Sequence, residues 1–341
     1  MWLELAATCV VAFAVSLWLT GSVRRFALSR GVLDVPNARS SHKAVTPRGG
    51  GLATVVVTAV AWLALAIHGP IPLRLFMALV VGGAAVAAVG FVDDRRPVPA
   101  RLRLTVHLAA AIWALLCLGA PAALTLGSQS VSLGWMGVLL AVLGIVWFLN
   151  LFNFMDGIDG IAASEAIFIV CAGPLLMLPD GTASGVLAVA LPLAASCCGF
   201  LLWNWPPAKI FMGDVGSGYL GYVIGVMVLA LIRYNPNAAW VWLILGGVFF
   251  VDATVTLIRR AARGERVAEA HRSHAYQWLA RRHGSHRAVT MAVTVLNVLW
   301  LLPCAFVAAR FPQYAMWTTL LALLPVAALA LLSGAGRSEA A

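Results

Sequence analysis

Polar and apolar positions fall along this chain in long blocks, not in short periods. Eleven apolar runs are broken by proline, glycine and charge. They lie near 3–23, 50–68, 75–92, 104–120, 135–152, 161–179, 186–203, 217–234, 240–258, 288–309 and 315–333. About 20 apolar residues carry a helix across a bilayer core. An open strand would leave its backbone groups unpaired in lipid, so each run is predicted to be a helix. The run at 104–120 is short, and the one near 217–234 is rich in glycine. The expected fold is all-α and polytopic, with about 11 transmembrane helices in one membrane-embedded domain over residues 1–341. No internal repeat and no low-complexity segment is visible.

Composition sharpens this picture. The chain is 62% hydrophobic and 11% charged, where a soluble domain carries roughly 25% charged residues. Mean hydropathy is +0.93. A secreted disulfide scaffold, a disordered chain and a water-soluble α/β enzyme are excluded. Cys9, Cys117, Cys171, Cys197, Cys198 and Cys304 all sit in apolar runs without metal spacing, so no structural disulfide is expected. The first run opens with Glu4 and its positive charges follow it, which is not the order of a cleavable signal peptide.

The 23 Lys and Arg against 13 Asp and Glu read as membrane topology, not as nucleic-acid binding. Twenty of the cations follow odd-numbered runs, and only Arg74, Arg233 and Arg310 follow even ones. This split predicts an N-terminus outside and a C-terminus in the cytoplasm. The predicted cytoplasmic loops are the longer ones and carry nearly all the polar chemistry. The basic loop 259–287 is expected to contribute to a site. Such asymmetry favours an enzyme at the cytoplasmic face over a transporter or lipid flippase, whose polar residues would lie at mid-membrane.

Five acids mark that face: Asp93 and Asp94 after the third run, Asp156 and Asp159 after the fifth, and Asp214 before the eighth. Asn150, Asn153 and Asp156 recur every three residues and share one helix face. Such a stripe meets a ligand or ion, or else glues helices together. The Asp93-Asp94 pair repels itself and calls for a divalent cation or basic partners; Arg95 and Arg96 are the bland alternative. Oxygen ligands of this kind suit Mg²⁺ or Mn²⁺, with substrate phosphates completing the shell. Gly213 to Gly218 opens a helix whose amides suit phosphate. His271 and His274 share a face in the basic loop; an interfacial segment among anionic headgroups is the competing reading. His107 and His68 are read as structural. Asp252, within the ninth run, is expected to pair with Arg259 or Arg260.

In order along the chain, three segments resemble one family. Asp93-Asp94 resembles its aspartate pair, Asn150 to Gly160 its N-x-x-N-x-x-D-G-x-D-G segment, and Asn204 to Asp214 its N-x-x-P-A-x-x-F-x-G-D segment. The family is the polyprenyl-phosphate N-acetylhexosamine-1-phosphate transferases (glycosyltransferase family 4). It includes phospho-MurNAc-pentapeptide translocase and the GlcNAc-1-phosphate transferases that start O-antigen or teichoic-acid assembly. The segment Arg39 to Gly50 and the eleven runs fit the O-antigen branch best.

The resemblance implies transfer of a sugar 1-phosphate from a UDP-N-acetylhexosamine to a polyprenyl phosphate such as undecaprenyl phosphate, releasing UMP, in a bacterial inner membrane. It implies that Asp214, with Asn153, binds Mg²⁺. Asp93 would bind or deprotonate the lipid phosphate beside Asp94, and Asp156 would join them as a catalytic residue. Lys43, Asp159, Asn204 and Phe211 would line the nucleotide pocket, with Phe211 under the uracil. Asn150 and Asn153 would bind substrate, and His271 and His274 would lie near the phosphates. Two positions depart from the pattern. Pro97 stands where the family often has lysine, so Arg101 or Arg103 is expected to take that role. Ser273 stands where H-x-H-H has a histidine. A CDP-alcohol phosphotransferase, the second enzyme class weighed, needs an Ala-Arg and later aspartates that Asp156 to Gly160 lacks. The sequence names neither the sugar nor the oligomeric state, and a homodimer is compatible with it.

Overall fold

A computed structural model describes residues 2–36, 44–178, 184–265 and 271–338. Helices dominate, as the apolar blocks predict. In chain order they are α1 (Trp2–Arg30), α2 (Gly51–Ile67), α3 (Leu73–Asp93), α4 (Ala100–Leu118), α5 (Trp135–Met155), α6 (Ile161–Met177), α7 (Ser184–Asn204), α8 (Asp214–Ile232), α9 (Ala238–Leu245), α10 (Gly247–Ala262), α11 (Ala275–His283), α12 (His286–Leu296), α13 (Leu302–Arg310) and α14 (Ala315–Leu332). A π-helical turn, Asn297–Leu301, joins α12 to α13. Two antiparallel hairpins, unforeseen in the sequence, interrupt the helices. β1 (Leu33–Asp34) pairs with β2 (Thr46–Pro47), and β3 (Ala123–Leu126) with β4 (Gln129–Ser132).

Every predicted run coincides with a helix or helix pair, but the runs are not alike. Among the described residues, eight helices are long and apolar enough to cross a membrane. α2 and α6 have 17 residues each. The ninth run is broken at Gly246, where α9 and α10 meet at 77°. The protein is therefore an all-α, multi-pass membrane protein.

α8 is the axis of the bundle, buried from Val215 to Leu231. It packs against α3 and α5, while α1 and α6 pack on α7. Glycine explains its close approach to α5. A Cβ at Gly221 would lie 2.5 Å from the Phe148 carbonyl oxygen and 2.7 Å from the Leu149 Cα. Without a hydrophobic driving force between helices in lipid, small residues and interhelical hydrogen bonds hold the contact. The Tyr222 hydroxyl donates to the Ala78 carbonyl at 2.8 Å and lies 3.2 Å from that of Ala110, tying α8 to α3 and α4. Tyr219 and Thr58 share a 2.6 Å hydroxyl contact that ties α8 to α2.

Asp252 is not paired with Arg259 or Arg260. Its carboxylate accepts the amides of Ala275 at 2.8 Å and Tyr276 at 3.0 Å, and so holds the start of α11 against α10. Arg259 instead donates to the Ala335 carbonyl and Arg260 to Glu265. Capping amides that lie 23 and 24 residues away leave no local pattern to read.

Overpacking a tight helix contact costs about 1–3 kcal/mol. Gly221→Ala is therefore expected to lower the thermal midpoint of the detergent-purified protein. Gly144→Ala, with nothing within 4 Å of its new Cβ, should leave the midpoint unchanged or raise it through helix propensity. Fluorescence-monitored unfolding of both variants checks this; equal midpoints would contradict the packing.

Candidate active site

Six helix ends converge at one face of the bundle. α3, α5 and α7 finish there at Asp93, Met155 and Asn204, and α2, α6 and α8 start there at Gly51, Ile161 and Asp214. The motif residues sit on these ends or on the turns between them.

The Asp94 side chain is enclosed, 2% exposed. Its Oδ1 accepts the amide of Asp214 at 2.8 Å, and its Oδ2 that of Val215 at 3.2 Å. It thereby caps the N-terminus of α8, where amides and helix dipole both favour negative charge. Gly213 makes this possible. Its φ is +77°, and a Cβ there would fall 2.5 Å from the Asp94 Oδ2.

Arg48 binds the same carboxylate and a second one. Its Nε lies 2.7 Å from the Asp94 Oδ1, and its Nη2 2.7 Å from the Asp214 Oδ1. The rigid guanidinium fork suits two anions at fixed spacing. Asp93 faces the other way. It accepts the Val98 amide at 2.6 Å and pairs with the Arg103 Nη1 at 2.6 Å, and that nitrogen lies 3.5 Å from the Asp214 Oδ2. Asp94, Arg48, Asp214, Arg103 and Asp93 thus form a chain of alternating charge.

Burial pushes the Asp94 carboxyl above the usual carboxylate range, against the pull of Arg48 and the two amides. Burial opposes the Arg48 charge, but the carboxylates of Asp214, Asp94 and Asp34 outweigh it and raise its pKa. Asp156 is pushed well up, by burial first and then by Asp214; Arg48 pulls the other way.

Beside this chain lies a cavity of about 200 Å³. Asn153, Asp156, Asp159, Asn204, Phe211 and Asp214 are among the residues that line it, so the two longer motifs meet there. Asp159 and Asn204 also hold its walls. The Asp159 Oδ2 accepts the Ala208 amide at 3.0 Å, and its Oδ1 lies 3.1 Å from the His286 Nδ1. Asn204 accepts the Gly160 amide and donates to the Ile210 carbonyl, both at 2.9 Å. Phe211 is fixed through its backbone, which bonds to Pro47 and Gly50.

Other expectations are redistributed. Of the two arginines weighed for the missing lysine, Arg103 joins the charge chain, whereas Arg101 is exposed and lines no cavity beside the acids. His271 and His274 do not line the 200 Å³ cavity. Their rings stack at 4.9 Å, and His274 is 1% exposed, between Asp252 and Tyr276. The basic loop reaches the cavity through Gln277 and His286 instead. Lys43 lies outside the described residues. Sequence reasoning missed Arg48, Gln277 and His286. Arg48 stands inside a segment that carried the resemblance, but its charge was counted as topology. Gln277 and His286 carry no periodic signal.

The same residues bear on a metal ion. Among the described residues, no three His, Cys, Asp or Glu side chains gather into a ready cage. Asn153, Asp156 and Asp214 nevertheless present hard oxygen donors to one cavity, and the crowding that raises Asp156 is what a cation relieves. That donor set fits Mg²⁺, which binds through one or two carboxylates and completes its shell with phosphate and water.

Comparison with known proteins gives a consistent result. The sequence profile described as glycosyl transferase family 4 matches residues 76–232. A probable undecaprenyl-phosphate N-acetylglucosaminyl 1-phosphate transferase of Bacillus subtilis is 31% identical over 300 residues, spanning 85% of this chain and 82% of its own. A decaprenyl-phosphate N-acetylglucosaminephosphotransferase of Mycolicibacterium smegmatis is 30% identical over 340 residues, covering 90% and 82%. A phospho-N-acetylmuramoyl-pentapeptide-transferase of Moorella thermoacetica is 33% identical over 231 residues, covering 64% and 70%.

The cap on α8 is testable without any ligand. Losing a helix cap costs about 1–2 kcal/mol, or roughly 5- to 30-fold in an opening equilibrium. Asp94→Ala is expected to speed amide hydrogen exchange at Asp214 and Val215 by that factor and to leave the middle of α8 unchanged. Unchanged exchange at both amides would show that Asp94 does not hold the helix start.

Proposed function

This chain belongs to glycosyl transferase family 4, and from that premise we propose that it transfers an N-acetylhexosamine 1-phosphate from a UDP-sugar to a polyprenyl phosphate. An oxygen of the acceptor phosphate bonds to the sugar-bearing phosphorus. The bond from that phosphorus to UMP breaks, leaving polyprenyl-diphospho-sugar. The observation that carries this reading is the 200 Å³ cavity, where residues of two separate motifs meet the charge chain of Asp94, Arg48 and Asp214. Its position at the helix ends suits a reaction between a soluble nucleotide and a lipid headgroup.

The residues divide the work. Phe211 offers a face for the uracil, and Asp159 retains lone pairs for its N–H groups. Arg48 holds Asp214 in place and offsets the charge of the diphosphate. An acceptor phosphate monoester, with a second pKa of about 6, is already largely ionised at neutral pH. It needs positioning more than a base. Asp93, bonded to the Val98 amide and to Arg103, is therefore read as the residue that orients Arg103. Asp214, Asp156 and Asn153 would hold Mg²⁺, which when bound supplies charge neutralisation for the transferred phosphoryl group. The 20-to-3 cation split supports a cytoplasmic site, a periplasmic N-terminus and a cytoplasmic C-terminus in a bacterial inner membrane. The product would be the first lipid-linked sugar of an O-antigen or another envelope polysaccharide.

The test is UMP release by the detergent-purified protein from UDP-N-acetylhexosamines and undecaprenyl phosphate, with mass spectrometry of the lipid product. Release should require the lipid phosphate, stop with EDTA and return with Mg²⁺. Asp214→Asn should lower turnover roughly 150-fold or more, the rate equivalent of about 3 kcal/mol. No lipid-dependent release from any of these donors, or near-normal turnover of Asp214→Asn, would reject the reading.

A further inference from the structure

The polar stripe of α5 does not stop at the cavity already described. Asp156 faces that cavity, Asn153 lines both it and a second one, and Asn150, one turn further into the bundle, lines the second alone. This second cavity holds about 190 Å³ among α3, α4, α5 and α8. The two share just two lining residues, Asn153 and Asp214.

Their chemistry differs. The first is walled by four acids, Asp34, Asp156, Asp159 and Asp214, with Arg48 and His286 the basic residues. The second has Asp214 as its single acid, with Arg103 and His107 as bases, and apolar walls from Val86, Leu104, Leu149 and Phe154. An anion on an apolar tail fits the second; a ligand that brings its own cation fits the first.

His107 is the unexplained residue there. It stands one turn after Arg103 on α4, so both side chains share a face. It is 8% exposed, and its Nδ1 is buried without a hydrogen-bond partner. A buried polar atom left unpaired in a native fold calls for a reason. The groups that surround it are Arg103 on its own helix, Asn150 and Asn153 on α5, and Asp214 on α8. The amide nitrogen of Asn150 is taken by the Val146 carbonyl at 2.7 Å.

We propose that the cavity among α3, α4, α5 and α8 receives the phosphate end of the lipid acceptor, and that His107 is the positioning residue that hydrogen-bonds it. The inference rests on the transfer reaction proposed above. With the nucleotide in the first cavity, the two substrates meet at Asp214 and Asn153, which line both. An in-line displacement needs separate paths for the attacking oxygen and the departing UMP.

The experiment is a split of KM values, with undecaprenyl phosphate as the probe. A hydrogen bond to a charged group corresponds to about 10- to 100-fold in binding. His107→Leu should raise the KM for undecaprenyl phosphate by that factor and leave the KM for the UDP-sugar within about 2-fold. His107→Gln, which keeps a donor, should recover most of the loss. Gly218→Val gives an independent arm. A Cβ at Gly218 meets only ordinary contacts, 3.4 Å from Val86 and 3.8 Å from Leu149, and the added methyl groups narrow the cavity. It should show the same split even where His107→Leu fails to fold. An unchanged lipid KM in folded His107→Leu, or in Gly218→Val, overturns the inference while transfer by the parent protein still stands. If the parent protein itself releases no UMP, the underlying reading fails instead.

Discussion

One guanidinium holds the active end of this protein together. Asp94 and Asp214 stand at the ends of different helices and meet on one arginine. Two buried carboxylates repel, and the cost of burying them is offset only by a well-placed cation and by hydrogen bonds to their remaining lone pairs. Arg48 supplies the cation, with 2.7 Å contacts to both. The first two amides of α8 supply hydrogen bonds to Asp94. The result fixes three chain segments at once: the turn before α2, the end of α3 and the start of α8. Arg48, Gly213 and Asp214 carry this junction into the wall of the 200 Å³ cavity.

The apolar bundle is what gives the junction its precision. α8 is enclosed along its length, and its glycines let α5 come close enough for the Asn150, Asn153 and Asp156 stripe to lie against it. Asn153 donates to the Ser217 hydroxyl at 3.2 Å, which ties that stripe to the second turn of α8. A rigid pair of helices presenting polar side chains from their ends can hold a constellation more closely than loops can. The bend between α9 and α10 serves the same end. It lets Asp252 reach the amides that open α11, and α11 carries Gln277 to the cavity.

The sequence was most legible where chemistry and periodicity coincide. Eleven apolar runs foretold the helices, and acids at run ends foretold Asp93, Asp94, Asp156, Asp159 and Asp214 on one face. The expected glycine-rich helix start is there too, with Asp94 on its first two amides. What stayed hidden depends on distance along the chain. Arg48 and Asp214 are 166 residues apart, and Asp159 and His286 are 127 apart; no spacing rule links such pairs. The bend at Gly246 was hidden for another reason, since hydropathy runs through it unbroken. His271 and His274 share one face as expected; their rings stack 4.9 Å apart, and they line neither cavity.

The contrast between the two cavities bears on a problem common to every transferase that works beside water. A nucleotide sugar activated for attack by a phosphate is also activated for attack by water, and hydrolysis would waste it. The polar cavity does not solve this, because its walls of acids and amides welcome water. The second cavity does. Its apolar walls, Val86, Leu104, Leu149 and Phe154, adjoin Asp214, which both cavities share. Water gains little along these apolar walls, away from the polar end at Arg103, His107 and Asp214. A phosphate on a prenyl chain brings its own apolar surface to cover those walls, and it finds Arg103 and His107 at the end of the path. On this view acceptor selection follows from where the polar groups stop along α5. Asn150 is the last of them, and beyond it the face of the helix belongs to the lipid.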